Sequence, residues 1–303
     1  MKSKIEDKIV LNIDVANAIS VLHSQMKQFE IKTKKFKSFF RGKSFDFDGY
    51  RTYTPDDDVS YIDWMASYRS DKLLVKQFKE EEKLKILFLV DVGENMILGS
   101  KNRLKCESAA EIVLAISYLL SSAGHKVGHI LFSDNVKGFA IPSTGLNNFY
   151  VFSDLLLDSN TYGGASRMDV AIEFLLNNFD ASISAVILVS DFLNFNKKIK
   201  RSLDLLANKY ESFAFMVKDP LDKTMPNIAG EFILEDTNTG RQILVDPKIA
   251  RKSYENYALK QEKFVRESFK DDSMDLLELS TIEEWPSKVA DFLKRRAERE
   301  VVI

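Results

Sequence analysis

The chain has 303 residues, of which 45% are apolar and 29% charged, with a formal net charge of −2. Such a composition supports one large core or two modest ones and excludes a disordered or fibrous chain. The near-neutral balance gives no global pull toward nucleic acid, so an electrostatic partner has to be met by a local patch. No run approaches the roughly 18 uninterrupted apolar residues of a membrane helix, and the opening MKSKIEDKIV has no long apolar run behind its charges. Neither a membrane span nor secretion is expected, and the expected compartment is the cytoplasm.

In chain order, Val15, Ala18, Ile19, Leu22, Met26 and Phe29 recur at the spacing of one helix face, which predicts an amphipathic helix within 10–30. A basic stretch follows (Lys32, Lys34, Lys35, Lys37, Arg41, Lys43), interleaved with Phe36, Phe39 and Phe40. Next comes the acidic, aromatic run Phe45–Trp64, so the two blocks read as partners for each other in preference to a nucleic-acid or membrane site. Thr54-Pro55-Asp56-Asp57 is a turn signal. From Lys85 onward, the short apolar runs Ile86–Val90, Val127–Phe132, Ile183–Val189 and Phe213–Val217 read as strands buried on both faces, with Val136–Ile141 as an antiparallel edge strand. Helical patterns over Leu104–Leu120, Met168–Leu176 and Ile199–Leu206 separate them. Cys106 sits in the first of these patterns as a small buried apolar residue. Phe232–Leu234 and Gln242–Val245 flank a hairpin loop, and a helix from Ile249 to Phe269, a strand Met274–Leu279 and a helix Ile282–Arg296 close the chain. The predicted fold is α/β: a doubly wound, mostly parallel sheet flanked by helices over 85–303. Residues 1–84 precede it as an N-terminal helix and an extended clasp packing on that sheet.

Open α/β sheets bind ligands beyond the carboxyl ends of their strands, where the strand order reverses. The residues leaving those ends are Asp91-Val92-Gly93-Glu94-Asn95, Ser133-Asp134 and Ser190-Asp191, while Gly163-Gly164-Ala165-Ser166 leads into a helix. Two carboxylates and a hydroxyl at one crevice make a hard-oxygen set suited to Mg²⁺. The same residues have plain structural readings: Asp91 and Asp191 as loop and helix caps, Ser166 as an N-cap, Asn95 and Asp134 as turn residues. No positioned base accompanies them, since His23, His125 and His129 are scattered and the i, i+4 pair His125/His129 lacks a third zinc ligand. With no positioned base the chain is expected not to be an enzyme, and with no G-x-x-x-x-G-K-[ST] loop it is expected not to hydrolyse nucleotides itself. The rival reading is a metal-dependent hydrolase using Asp91 and Asp191.

The crevice residues resemble the metal-ion-dependent adhesion site of von Willebrand A domains, in which strand one ends Asp-x-Ser-x-Ser. A threonine from a later loop and an aspartate after the fourth strand complete that site. Asp91 and Asp191 match its carboxylates, Ser166 stands for the threonine, and Gly93 and Asn95 occupy the serine positions. Glycine offers no ligand there and asparagine only a carbonyl oxygen, so Mg²⁺ binding through Asp91, Asn95, Ser166 and Asp191 and its absence both stay open. Upstream, Arg41-Gly42, Phe45, Asp46, Arg51, Tyr53, Pro55, Asp57, Asp58, Val59, Ile62-Asp63-Trp64, Arg69, Val75-Lys76, Phe78 and Glu80-Glu81 resemble the signature of the DUF58 family, as does LEDTNTGRQILVD later. That resemblance implies an A-type domain and a partnership with a MoxR-type AAA+ ATPase in protein assembly or maturation. A partner carboxylate would complete the metal's coordination, and Gly93, Glu94, Asp134 and Gly164 would face that partner. The aromatic residues Phe47, Tyr50, Tyr53 and Trp64 are expected to bury against the sheet as a clasp.

Overall fold

The computed structural model describes residues 10–28, 47–54, 59, 62–70, 72–78, 83–101, 103–228, 230–235 and 242–299. The basic stretch 32–43, positions 55–57 of the expected turn and the hairpin loop 236–241 lie outside the described residues.

The elements run α1 (Val15–Gln28), β1 (Phe47–Thr52), α2 (Trp64–Ser70), β2 (Leu74–Phe78), β3 (Lys85–Asp91), α3 (Lys105–Ser122), β4 (Lys126–Phe132), β5 (Val136–Ser143) and α4 (Asn147–Leu157). They continue α5 (Met168–Asn178), β6 (Ala185–Ser190), α6 (Lys197–Lys209), β7 (Ser212–Lys218), β8 (Phe232–Glu235), β9 (Gln242–Val245), α7 (Pro247–Asp271), β10 (Asp275–Ser280) and α8 (Trp285–Arg299). Six strands form the central sheet in the order β10-β7-β6-β3-β4-β5. All neighbours are parallel except β5, which runs antiparallel to β4 at the edge. This mixed α/β arrangement is consistent with a Rossmann or von Willebrand A-like fold, as the strand pattern predicts.

The side-chain patterns follow from position in the sheet. Strands β6 and β7 are buried at every residue because helices cover both faces, so their sequences are continuous apolar runs. Edge strand β5 alternates between half-buried and exposed residues, as a strand with one wet face does. On one face α3, α4, α8 and α1 pack around Phe88, Val90, Phe213 and Phe215; on the other, α5, α6 and α7 pack around Leu87, Leu89, Leu188 and Met216. Helix α4 was not among the predicted elements. Its run FYVFSDLLL is nearly continuous in apolar residues, and only burial of Phe149, Phe152 and Leu156 reveals the helical face.

Helix α1 lays Ala18, Leu22 and Met26 into the same core as α3 and α8. The segment entering it is fixed where the Asn12 N–H donates to Glu107 Oε1 at 2.6 Å. The clasp aromatics behave otherwise. β1 and β2 pair antiparallel with α2 between them, and Asp63 Oδ1 caps α2 by accepting from the Met65 and Ala66 amides at 3.1 and 3.0 Å. That cap starts the helix at Trp64, and Ser67 turns inward to donate to the Asp63 carbonyl and accept from the Leu74 amide. Trp64, Met65 and Tyr68, one and four positions apart on the opposite face, therefore point to solvent, with Trp64 64% exposed. Tyr50 is also exposed and donates its hydroxyl to Asp63 Oδ2 at 3.0 Å. The expected burial of Trp64 and Tyr50 against the sheet is thus corrected.

Candidate interaction site at the carboxyl edge of the sheet

From β3 the chain moves to β4 on one side and returns, after β5, to β6 on the other, so the strand order reverses between β3 and β6. Asp91 ends β3 and Asp191 follows β6, and both lie buried at this switch point. Asp91 Oδ1 accepts from the Gly93 amide at 2.9 Å, while Oδ2 accepts from the hydroxyls of Ser166 at 2.6 Å and Ser190 at 2.7 Å. Burial, followed by the nearby charge of Asp191, lifts the Asp91 carboxyl to about 6 against these three bonds. Ser166 is not the N-cap of α5, because Arg167 holds that position and the Ser166 side chain turns down to Asp91. The Ser190 hydroxyl also accepts from the Phe192 amide at 3.2 Å. Phe192 has φ +55°, a left-handed conformation costly for a bulky side chain. Its ring is held edge-on to Phe269 at 5.3 Å between centroids, so packing supports the kink just past Asp191.

Asp191 is the more heavily partnered carboxylate. The Asn95 side-chain amide donates to both of its oxygens at 2.9 Å, the Leu193 amide donates to Oδ1 at 3.0 Å, and the Lys105 ammonium donates to Oδ2 at 2.7 Å. Lys105 also donates to Asp222 Oδ1 at 3.0 Å and Oδ2 at 3.2 Å, and none of the three side chains is more than 1% exposed. Burial alone would raise the Asp191 carboxyl; Lys105 and the Leu193 amide outweigh it and hold the group below the usual carboxylate range. Burial would likewise lower Lys105, but Asp191 and Asp222 raise it. Burial dominates at Asp222, which is raised.

Reading strand ends finds Asp91, Asp191 and Ser166 but misses Lys105 and Asp222. One signal was available: Lys105 is the first residue of α3, where a positive charge opposes the helix dipole, so a lysine there calls for an anionic partner.

Above this buried layer lies a rim. The Glu94 amide donates to the Gly164 carbonyl and the Gly163 amide to the Val92 carbonyl, both at 2.9 Å, joining the loop after β3 to the loop before α5. Gly164 has φ +80°, and a Cβ there would sit 2.8 Å from Asp134 Oδ1. A Cβ on Gly93 would lie 2.9 Å from Asn95 Oδ1 and 3.0 Å from Asp91 Oδ1. Asp134 accepts from Ser133 at 2.8 Å and pairs with Lys137 at 2.9 Å. Lys137 first, then Ser133, holds the Asp134 carboxyl down to about 2. Glu94 and Asp134 are exposed and Gly164 half-buried on one lip, while Gly93, expected to face a partner, lies buried beneath it. Beside it opens a cavity of about 410 Å³ lined by Ser166, Arg167, Asp169, Asn194, Asn196 and Lys198.

The donor set can be tested against Mg²⁺, which takes oxygen lone pairs in near-octahedral array. Asn95 presents its NH₂ to Asp191, Gly93 has no side chain, and an ammonium already binds Asp191. This arrangement does not fit the ion. Among the described residues, no group of three or more His, Cys, Asp or Glu side chains is placed to hold a metal. His129 lies elsewhere, on β4, stacked on Phe152 at 4.4 Å, and burial pushes it down to about 4. Cys106 is buried, its thiol pushed up to about 12 by desolvation and then by Glu107.

A family model described as "Protein of unknown function DUF58" matches residues 49–264. The uncharacterized proteins Mb1516 of Mycobacterium bovis and Rv1480 of Mycobacterium tuberculosis are each 24% identical over 249 residues, covering 81% of this chain and 78% of their own. Among solved structures, the conserved hypothetical protein BatB from Bacteroides thetaiotaomicron aligns with TM-score 0.48 and 14% identity over 71% of this chain and 99% of that one. An aerotolerance-related membrane protein from Bacteroides fragilis aligns with TM-score 0.44 and 10% identity at the same coverage.

Proposed function

The chain belongs to the DUF58 family, and from that premise we propose that it is a non-enzymatic protein–protein interaction module whose partner seats on the lip formed by Glu94, Asp134 and Gly164, above the buried Gly93. The observation that carries this reading is the layering of the site: a saturated, buried polar network beneath an exposed acidic rim at the strand-order reversal. Asp91 and Asp191 have both oxygens occupied by groups of the chain itself, so they serve to fix three loops. A general base or nucleophile has to reach a substrate atom. Asp91 is 1% exposed, which disfavours a hydrolase built on Asp91 and Asp191. Glu94, by contrast, is exposed, and among the described residues its carboxylate has no ion pair or hydrogen bond.

The proposed partner is a MoxR-type AAA+ ATPase, on the strength of the family resemblance, meeting the rim through a basic surface. No described helix is long and apolar enough to cross a membrane, and the proposed setting is the cytoplasm. The test is calorimetric titration of the purified MoxR-type ATPase from the same cell into wild type and Glu94→Arg. Charge reversal at the rim is expected to weaken binding roughly tenfold or more, with melting unchanged. Equal affinity for both proteins would exclude this lip as the contact.

A further inference from the structure

We propose that Lys105 is a tethered cation that neutralises Asp191 and Asp222, beyond the ends of β6 and β7, in place of a divalent ion, so that this buried layer operates without a metal. The proposal concerns the buried layer alone and holds whether or not the rim above it receives a protein.

Carboxylates brought into a low-dielectric interior need a countercharge and hydrogen bonds to remain ionised. Asp191 and Asp222 obtain both from one ammonium, which lies 2.7 Å from the first and 3.0 Å from the second with no solvent exposure. A second lysine, Lys218 at the end of β7, is 3% exposed, and burial lowers its pKa against the opposing charges of Asp191 and Asp222. Among the described residues Asp91 obtains no ammonium in this way; its oxygens are filled by Gly93, Ser166 and Ser190.

The surrounding residues agree with this arrangement. Asn95 turns donor atoms, not its carbonyl oxygen, toward Asp191. A Cβ at Gly93 would come within 2.9 Å of Asn95 Oδ1 and 3.0 Å of Asp91 Oδ1, so glycine leaves both side chains room. The position of Lys105 at the first residue of α3 is unfavourable for a cation on helix-dipole grounds alone, and the two aspartates account for it. Glycine at 93, amide donors at 95 and the ammonium at 105 thus act together, an internal charge serving where an exchangeable one could.

The experiment is a Mn²⁺ titration followed by electron paramagnetic resonance, together with melting in Mg²⁺ and in EDTA, on wild type and Lys105→Ala. Wild type is expected to show no stoichiometric Mn²⁺ uptake and the same melting temperature in both buffers. Lys105→Ala is expected to melt lower in EDTA, to take up one Mn²⁺ per chain where wild type takes up none, and to regain stability in Mg²⁺ by mass action. Should Lys105→Ala not fold, the double variant Lys105→Met/Asp222→Asn removes one charge of each sign and is measured in the same way, with the same gain of Mn²⁺ expected. One saturable Mn²⁺ in wild type that disappears in Asp191→Asn would overturn the proposal. So would a folded variant without the ammonium that acquires no ion.

Discussion

Two buried side chains outside the strand-end pattern carry distinct consequences at the scale of single residues. Lys105 makes its partnerships across 86 and 117 residues of sequence, and no periodicity links a helix start to carboxylates that far along the chain. Asp91 and Asp191 were legible because a residue leaving a buried strand at its carboxyl end has a position fixed by topology. His129 offers a cleaner test of burial. Its imidazole is packed flat on Phe152, and its Nε2 has no hydrogen-bond partner. Because burial lowers its pKa from 6.5 to about 4 in the fold, the unfolded chain binds more protons between those values. Stability supplied by the neutral ring is then complete above about pH 6.5 and is lost as pH falls toward 4. Integrated over that window the loss is on the order of 3 kcal/mol. The difference between the wild-type and His129→Leu stability curves, measured by urea unfolding across this range, is expected to show this slope. Parallel curves would mean that His129 does not titrate with folding.

At the scale of elements, the continuous apolar runs gave β3, β4, β6 and β7 because those strands are covered on both faces, and β5 followed from its place across a short polar turn. The same logic hid α4, since FYVFSDLLL reads equally as a buried strand or a buried helix until Phe149, Phe152 and Leu156 are seen on one side. Trp64 was misjudged for another reason: large aromatic area usually buries, yet the Asp63 cap fixes where α2 begins and thereby which face looks outward. Loop elements at the site are constrained by glycine. Gly164 combines φ +80° with an approach of 2.8 Å to Asp134 Oδ1, so Gly164→Ala meets both backbone strain and a collision. A loss of about 1–3 kcal/mol is expected, read as a lower urea midpoint with an unchanged slope. A midpoint within error of wild type would show that the loop relaxes freely and that the lip is not rigid.

Across the whole molecule, the sheet, the two helical faces and α1 form a scaffold that delivers three separate loops to one lip. The N-terminal helix closes the face built by α3 and α8, while the opposite face belongs to α5, α6 and α7. The lip lies above the buried ends of β3 and β6, where the strand order reverses, which is why topology alone marked it as the place to look. Residues at 91–95, 133–134 and 163–166 converge there, joined by the Glu94–Gly164 and Gly163–Val92 backbone bonds. A partner docking on this surface would shield these backbone amides together although they are far apart in sequence.

The most direct test of that central claim is amide hydrogen exchange on the chain alone and in saturating complex with the proposed partner, a MoxR-type ATPase from the same cell. Slowed exchange confined to segments 92–95, 133–135 and 163–166, with the far end of the sheet around His125 and Ser182 unchanged, is the expected result. A stable complex that leaves these three segments exchanging at their free rates, with protection elsewhere, would contradict it.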